Sequence, residues 1–131
     1  MKLTIDTSAL IAVILNEPEK PYILKITKGS QLFSPESVHW EIGNAFSAMI
    51  KRERILLQLA KQGIKEYQKI PIKFINVDIC STMELIEQFK MYAYDAYLIK
   101  CCLQTDTPLL SLDKGLIRIA KLVGIEVLEV K

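Results

Sequence analysis

The sequence predicts an α/β protein in which a mainly parallel sheet is flanked by helices. Three observations carry that reading. Short apolar runs alternate with longer segments of helical periodicity. Two of the short runs end in an acid that stands before a helix. The length of 131 residues, half of them apolar, fits one domain spanning 1–131 with a filled core and leaves no room for a second.

Taken in order, residues 3–6 read as a short strand, and Thr7-Ser8 is a hydroxyl pair placed to cap the next helix. Residues 9–15 are all apolar and predict that this helix is deeply buried. Asn16-Glu17-Pro18 ends it, with Pro18 placed to open a second helix that runs to Gly29. Residues 31–34 form a strand candidate and Ser34-Pro35-Glu36 a helix start. From 36 to 54, Val38, Ile42, Ala45, Phe46, Met49 and Ile50 recur at helical spacing, and 56–67 continues as an antiparallel partner. Residues 73–77 have strand character. Helices are expected over 81–90 and 95–104, broken near 92–94. Residues 108–112 form a strand, 113–122 a helix stopped by Gly124, and 125–130 the last strand. No repeat, low-complexity tract or linker interrupts the pattern. The strand order is not readable.

The composition excludes several classes. Lys plus Arg number 17 against 15 for Asp plus Glu, so a basic nucleic-acid surface would have to come from clustering rather than total charge. Cys80, Cys101 and Cys102 offer no C-x-x-C spacing and read as buried, reduced thiols. His39 is the lone histidine, which removes a two-histidine, metal-free route to RNA cleavage. It reads as a packed or surface residue beside Trp40. No apolar run approaches the roughly 20 residues of a membrane span. An acid interrupts the first apolar stretch at once, so the expectation is a cytoplasmic chain without a membrane partner. Neither G-x-x-x-x-G-K-[ST] nor G-x-G-x-x-G occurs. Ser8 stands where a dehalogenase-type phosphatase needs a second aspartate, and the paired acids of a phosphoacceptor domain are not clear.

The informative acids are those in apolar company. Asp6 ends an apolar strand, and an isolated buried carboxylate is costly. Asp113 follows the apolar strand Leu109-Leu110-Ser111-Leu112. Both read either as N-caps or as groups beyond the carboxyl ends of parallel strands, the edge where ligands bind in open α/β sheets. Glu41 lies inside a helix, with Asn44 on its face and Ser47 near the same stripe, and reads as solvated surface or as a functional group. Gly43, unfavourable in a helix interior, argues for function or close packing. Asp95 opens its helix after Met91-Tyr92-Ala93-Tyr94 and is again cap or site. Asp78 is a weaker candidate. Glu17, Glu19, Glu53, Glu66, Glu84 and Glu87 fall among lysines or on solvated faces.

Together these fragments resemble the PIN-domain family, and within it the VapC-like toxin ribonucleases. The resemblance covers essentially the whole chain. It rests on Ile5-Asp6-Thr7-Ser8-Ala9-Leu10, Glu41 with Asn44-Ala45, Asp95-Ala96, and Ser111-Leu112-Asp113 before Leu116. It implies a three-layer α/β/α sandwich in which Asp6, Glu41, Asp95 and Asp113 converge as catalytic ligands for magnesium or manganese. Ser8, Asn44 and Ser111 fall at supporting polar positions. It further implies an RNA substrate, a small antitoxin partner and a homodimer. Tyr92-Ala93-Tyr94 departs from the glycine and small residues common before the third acid, so the loop there is expected to differ in shape.

Four carboxylates that meet cannot all stay ionised unaided. One pair at 4 Å repels by about 4 kcal/mol at an effective dielectric near 20. Protons or cations must bind, and oxygen ligands without His or Cys favour magnesium or manganese over zinc. Lys51, Arg52 and Arg54, with Lys61, Lys65, Lys69 and Lys73, form a basic series that reads as an ordinary solvated face or as an RNA rim. Tyr92 and Tyr94 read as core packing or as base-stacking groups. The competing function is a non-catalytic module of the same fold, docking RNA or acting as a scaffold.

Overall fold

The run Lys2-Leu3-Thr4-Ile5 forms the central strand of the molecule, with Leu3, Thr4 and Ile5 buried on both faces, as a parallel strand covered by helices requires. A computed structural model describes residues 1–131. In chain order the elements are β1 (Lys2–Ile5), α1 (Thr7–Ile14), α2 (Lys20–Thr27), β2 (Gln31–Pro35), α3 (Ser37–Lys51), α4 (Leu57–Lys69), β3 (Ile72–Ile75), α5 (Ile79–Phe89), α6 (Ala93–Thr105), β4 (Leu109–Leu110), α7 (Lys114–Val123) and β5 (Val127–Leu128).

All strand pairs are parallel, in the order β3-β2-β1-β4-β5. The chain leaves β1 toward β2 and β3, then returns to the other side of β1 with β4. The order therefore reverses between β1 and β4, and their carboxyl ends flank a topological switch point. Helices cover the sheet as an α/β/α arrangement. Leu10, Ile23, Val38, Ile42, Ile99 and Leu116 anchor the apolar cluster beneath them. No helix is long and apolar enough to cross a membrane.

Most expected elements stand, with informative shifts. Asp6, not the Thr7-Ser8 pair, caps α1: its side chain accepts from the Ala9 N–H at 3.0 Å. Pro21 rather than Pro18 sits in the first turn of α2. Pro35 completes β2 instead of opening α3. The break before α6 falls at Lys90, in a left-handed conformation at φ 55°, so α6 begins at Ala93 and Asp95 lies inside its first turn. Strands β4 and β5 are two residues each, because only Leu109–Leu110 and Val127–Leu128 find ladder partners.

Gly43 is not closely packed, since a Cβ there would meet nothing within 4 Å. The close approach is instead at Gly63 of α4, where a Cβ would come within 2.8 Å of the Phe46 ring of α3. Cys101 and Cys102 are buried in α6, and burial pushes their thiols up to about 11 and about 12. Cys80 departs from expectation by being exposed on α5.

Candidate functional site

Each acid reaches the switch point by a different local device. Asp6 follows β1 directly, and its backbone N–H donates to the Leu110 carbonyl of β4 at 3.1 Å. Asp113 stands beyond β4 and caps α7, accepting from the N–H groups of Gly115 and Leu116 at 2.9 and 3.2 Å. Glu41 is carried by the first half of α3, and Asp95 by the first turn of α6. The side chains of all four line one pocket of about 390 Å³, walled on its apolar side by Ile11, Leu98, Leu112 and Leu116. Asp6 and Asp113 are thus both caps and pocket acids; the two readings are not alternatives.

Asp6 is the most constrained of the four, at 3 % exposure. Ser111 Oγ donates to it at 2.6 Å, and Ser8 Oγ to its two oxygens at 2.8 and 2.9 Å. These hydroxyls are themselves oriented: Ser8 Oγ accepts from the Leu112 N–H at 2.9 Å and Ser111 Oγ from the Asp113 N–H at 3.0 Å. Backbone donors thus feed hydroxyls that feed one carboxylate, a chain in which each bond polarises the next. Desolvation still outweighs these bonds and, with the nearby Asp113 charge, raises the Asp6 carboxyl to about 6.

Glu41 is half-buried. Burial raises its pKa, the Thr7 hydroxyl opposes the rise, and Asp6, Asp95 and Asp113 add to it. Thr7 Oγ1 donates to Glu41 Oε2 at 2.6 Å. Asp95 is raised by burial and then by Asp113, with no hydrogen bond opposing the shift. The acids do not form a closed cage: no three His, Cys, Asp or Glu side chains stand close enough to hold one ion between them.

The supporting positions divide. Ser8 and Ser111 belong to the Asp6 network. Asn44 is exposed and lines a neighbouring cavity with Thr7, Trp40, Glu41 and Tyr94. Ser47 faces the groove between α3 and α4 instead. Lys51, Arg52 and Arg54 are exposed and none lines the acid pocket. Lys51 lies about 15 Å beyond Glu41 along the α3 axis at 1.5 Å per residue. Lys61, Lys65, Lys69 and Lys73 are likewise exposed, and Lys69 pairs with Glu66 at 3.3 Å. Asp78 sits exposed before α5, outside the pocket. His39 is held by the Tyr67 hydroxyl at 2.8 Å and packs on Phe74.

Two pocket residues escape sequence reasoning. Glu17 lines the pocket as a fifth acid, presented by a turn in which Asn16 adopts φ 56°. Asn before Glu after a buried helix is the available signal. Thr7 reads from sequence as a cap, and nothing there announces its bond to a residue 34 positions away.

A family model described as PIN domain matches residues 3–122. No curated protein matches the chain. Among the solved structures that share its fold are three from different organisms. A protein from Pyrobaculum aerophilum is 18 % identical with a TM-score of 0.71, covering 92 % of this chain and 89 % of its own. VapBC2 from Rickettsia felis, determined with a DNA fragment from its promoter, is 16 % identical with a TM-score of 0.66, covering 98 % of each chain. VapC20 from Mycobacterium tuberculosis, described as a sarcin-ricin loop cleaving toxin, is 12 % identical with a TM-score of 0.65, covering 97 % of this chain and 98 % of its own.

Proposed function

This chain belongs to the PIN-domain family, and from that premise we propose that it is a magnesium- or manganese-dependent endoribonuclease, the toxin of a toxin–antitoxin pair. The observation that carries the reading is the meeting of Asp6, Glu41, Asp95 and Asp113 in one pocket at the switch point of the sheet. The VapC20 and VapBC2 likenesses support the toxin role.

The donor set fits a hard cation. Every polar side chain around the pocket offers oxygen, and three carboxyls are raised toward protonation, the state a bound cation would relieve. Magnesium keeps several of its own waters, so it does not need three carboxylates in direct contact. Asp6, Glu41, Asp95 and Asp113 would hold it. When bound it supplies the positive charge that offsets the acids and draws in a phosphate.

The chain's own groups divide the remaining work. Ser8, Ser111 and the Ala9 N–H fix the Asp6 carboxylate in one orientation. Thr7 does the same for Glu41. Asp95, free of such bonds, is the group we assign to orient the attacking water and take its proton. In-line attack by water leaves a 5′-phosphate and a 3′-hydroxyl. Lys51, Arg52 and Arg54 contact the RNA backbone away from the cut. Leu56, Leu57 and Leu59, 72 %, 62 % and 54 % exposed, give an antitoxin or a second copy apolar surface to cover.

The open arrangement of the acids favours one second reading, a non-catalytic module that docks RNA. Incubating the purified protein with total RNA and manganese, then mapping new ends, separates the two. Discrete 5′-phosphate ends that vanish in Asp6→Asn support the nuclease. RNA binding without new ends supports the module.

A further inference from the structure

The acid pocket does not end at Glu41. It shares Thr7, Glu41 and Ala45 with a second cavity, which Trp40 and Tyr94 also line. Those two aromatics continue into a third cavity of about 280 Å³, together with Ser37, Asn76 and Tyr97. Adjacent cavities therefore lead, through shared lining residues, from the carboxylates to a chamber edged by aromatic rings. Trp40 precedes Glu41 in sequence and Tyr94 precedes Asp95, so the backbone that positions two acids also positions both rings.

The core does not use these rings. Trp40 is 72 % and Tyr94 52 % exposed. They are nevertheless braced: the Trp40 ring meets His39 edge-on at 6.4 Å and Tyr94 meets Tyr97 edge-on at 5.9 Å. Ser37 also lines the chamber, but its Oγ is shut off from the surface and is the one buried side-chain oxygen or nitrogen without a hydrogen-bond partner.

We propose that the chamber bounded by Trp40 and Tyr94 is a subsite for one unstacked nucleobase of single-stranded RNA, next to the phosphodiester held at the acids. The proposal rests on the nuclease reading. Stacking between rings accepts any base, because every base has a π face. Asn76 supplies hydrogen-bonding groups for the base edge, so this chamber biases which nucleotide flanks the cut. The chamber's adjacency to the acid pocket selects a nucleic-acid strand as occupant, because a phosphate at the acids carries its neighbouring base toward the rings.

Trp40 is the only tryptophan and reports on its own surroundings. The test uses Asp95→Asn, in which cutting is expected to be slowed about a hundredfold or more, with magnesium present. The probes are an oligouridylate of about ten nucleotides and a matched strand lacking every base. Tryptophan emission is expected to fall with the base-bearing strand and not with the abasic one. With a fluorescently labelled strand, Trp40→Ala and Tyr94→Ala are each expected to weaken binding about tenfold, while Trp40→Phe stays within about threefold. Equal quenching by the abasic strand, or unchanged binding by Trp40→Ala, overturns the subsite. If the parent protein still cuts RNA under that outcome, the nuclease reading stands alone. A parent that neither binds nor cuts RNA removes both.

Discussion

Thr7 Oγ1 donates a 2.6 Å hydrogen bond to Glu41 Oε2, tying the first residue of α1 to the first half of α3. Thr7 comes directly after Asp6 in sequence, so one short segment positions two of the four acids. The burial of Glu41 raises its pKa, and this bond is the largest influence acting against that rise.

Thr7→Val keeps the shape and removes the donor. The Glu41 carboxyl is then expected to rise further in pKa and to lose its orientation. In RNA cleavage, kcat should fall about tenfold and the acidic limb of the pH–rate profile should move upward, while Thr7→Ser keeps both near parental values. An unchanged profile in Thr7→Val would show that the bond has no catalytic consequence.

Asp6 links pH to stability. Its carboxyl titrates at 3.8 when unperturbed and at about 6 in the folded chain. Between those values the folded chain binds the extra proton, so this group's contribution to stability falls as pH rises through the window. At about 1.4 kcal/mol per unit, the loss is on the order of 3 kcal/mol. Glu41 and Asp95 are shifted in the same direction. In chelator, denaturant titrations should show Asp6→Asn gaining on the parent between pH 4 and pH 7. A gap that is flat with pH would contradict the burial argument.

The same strain should appear as cation-dependent stability. At neutral pH, magnesium or manganese is expected to raise Tm, with a stabilisation of about 2.7 kcal/mol at a hundredfold excess over Kd. Asp6→Asn should lose most of that rise. Equal stabilisation of parent and variant, measured by calorimetry, would place the cation elsewhere.

Two helix glycines should respond oppositely to alanine. A Cβ at Gly43 meets nothing within 4 Å, so Gly43→Ala should stabilise by about 0.5–1 kcal/mol. A Cβ at Gly63 meets the buried Phe46 ring at 2.8 Å and Ile14 at 3.2 Å, and Gly63→Ala should cost about 1 kcal/mol net as overpacking outweighs helix propensity. Denaturant midpoints decide both signs.

Much of this architecture is legible in the sequence because the signals are local. The alternation of apolar runs with helical periods locates every strand of the sheet, and the acids after β1 and β4 mark the ligand edge. The strand order is not legible, because it depends on which edges pair at long range. The sequence leaves cap and site as competing readings for Asp6 and Asp113, and in the structure each caps a helix while also lining the pocket, so capping does not remove either from the proposed site. Glu17 stays hidden because its place depends on the turn at Asn16. Gly43 misleads because a helix glycine signals close packing only when a neighbour approaches, and the neighbour lies against Gly63.

The central claim is that Asp6, Glu41, Asp95 and Asp113 act as one unit on RNA. The direct measurement is the rate of magnesium-dependent cleavage by Asp6→Asn, Asp95→Asn and the double variant, with folding verified for each. Each single change is expected to lower kcat by about a hundredfold or more, and the double variant to be scarcely worse than either single, because groups that act together are not additive. Full activity in both single variants, or losses that multiply in the double variant, would contradict it.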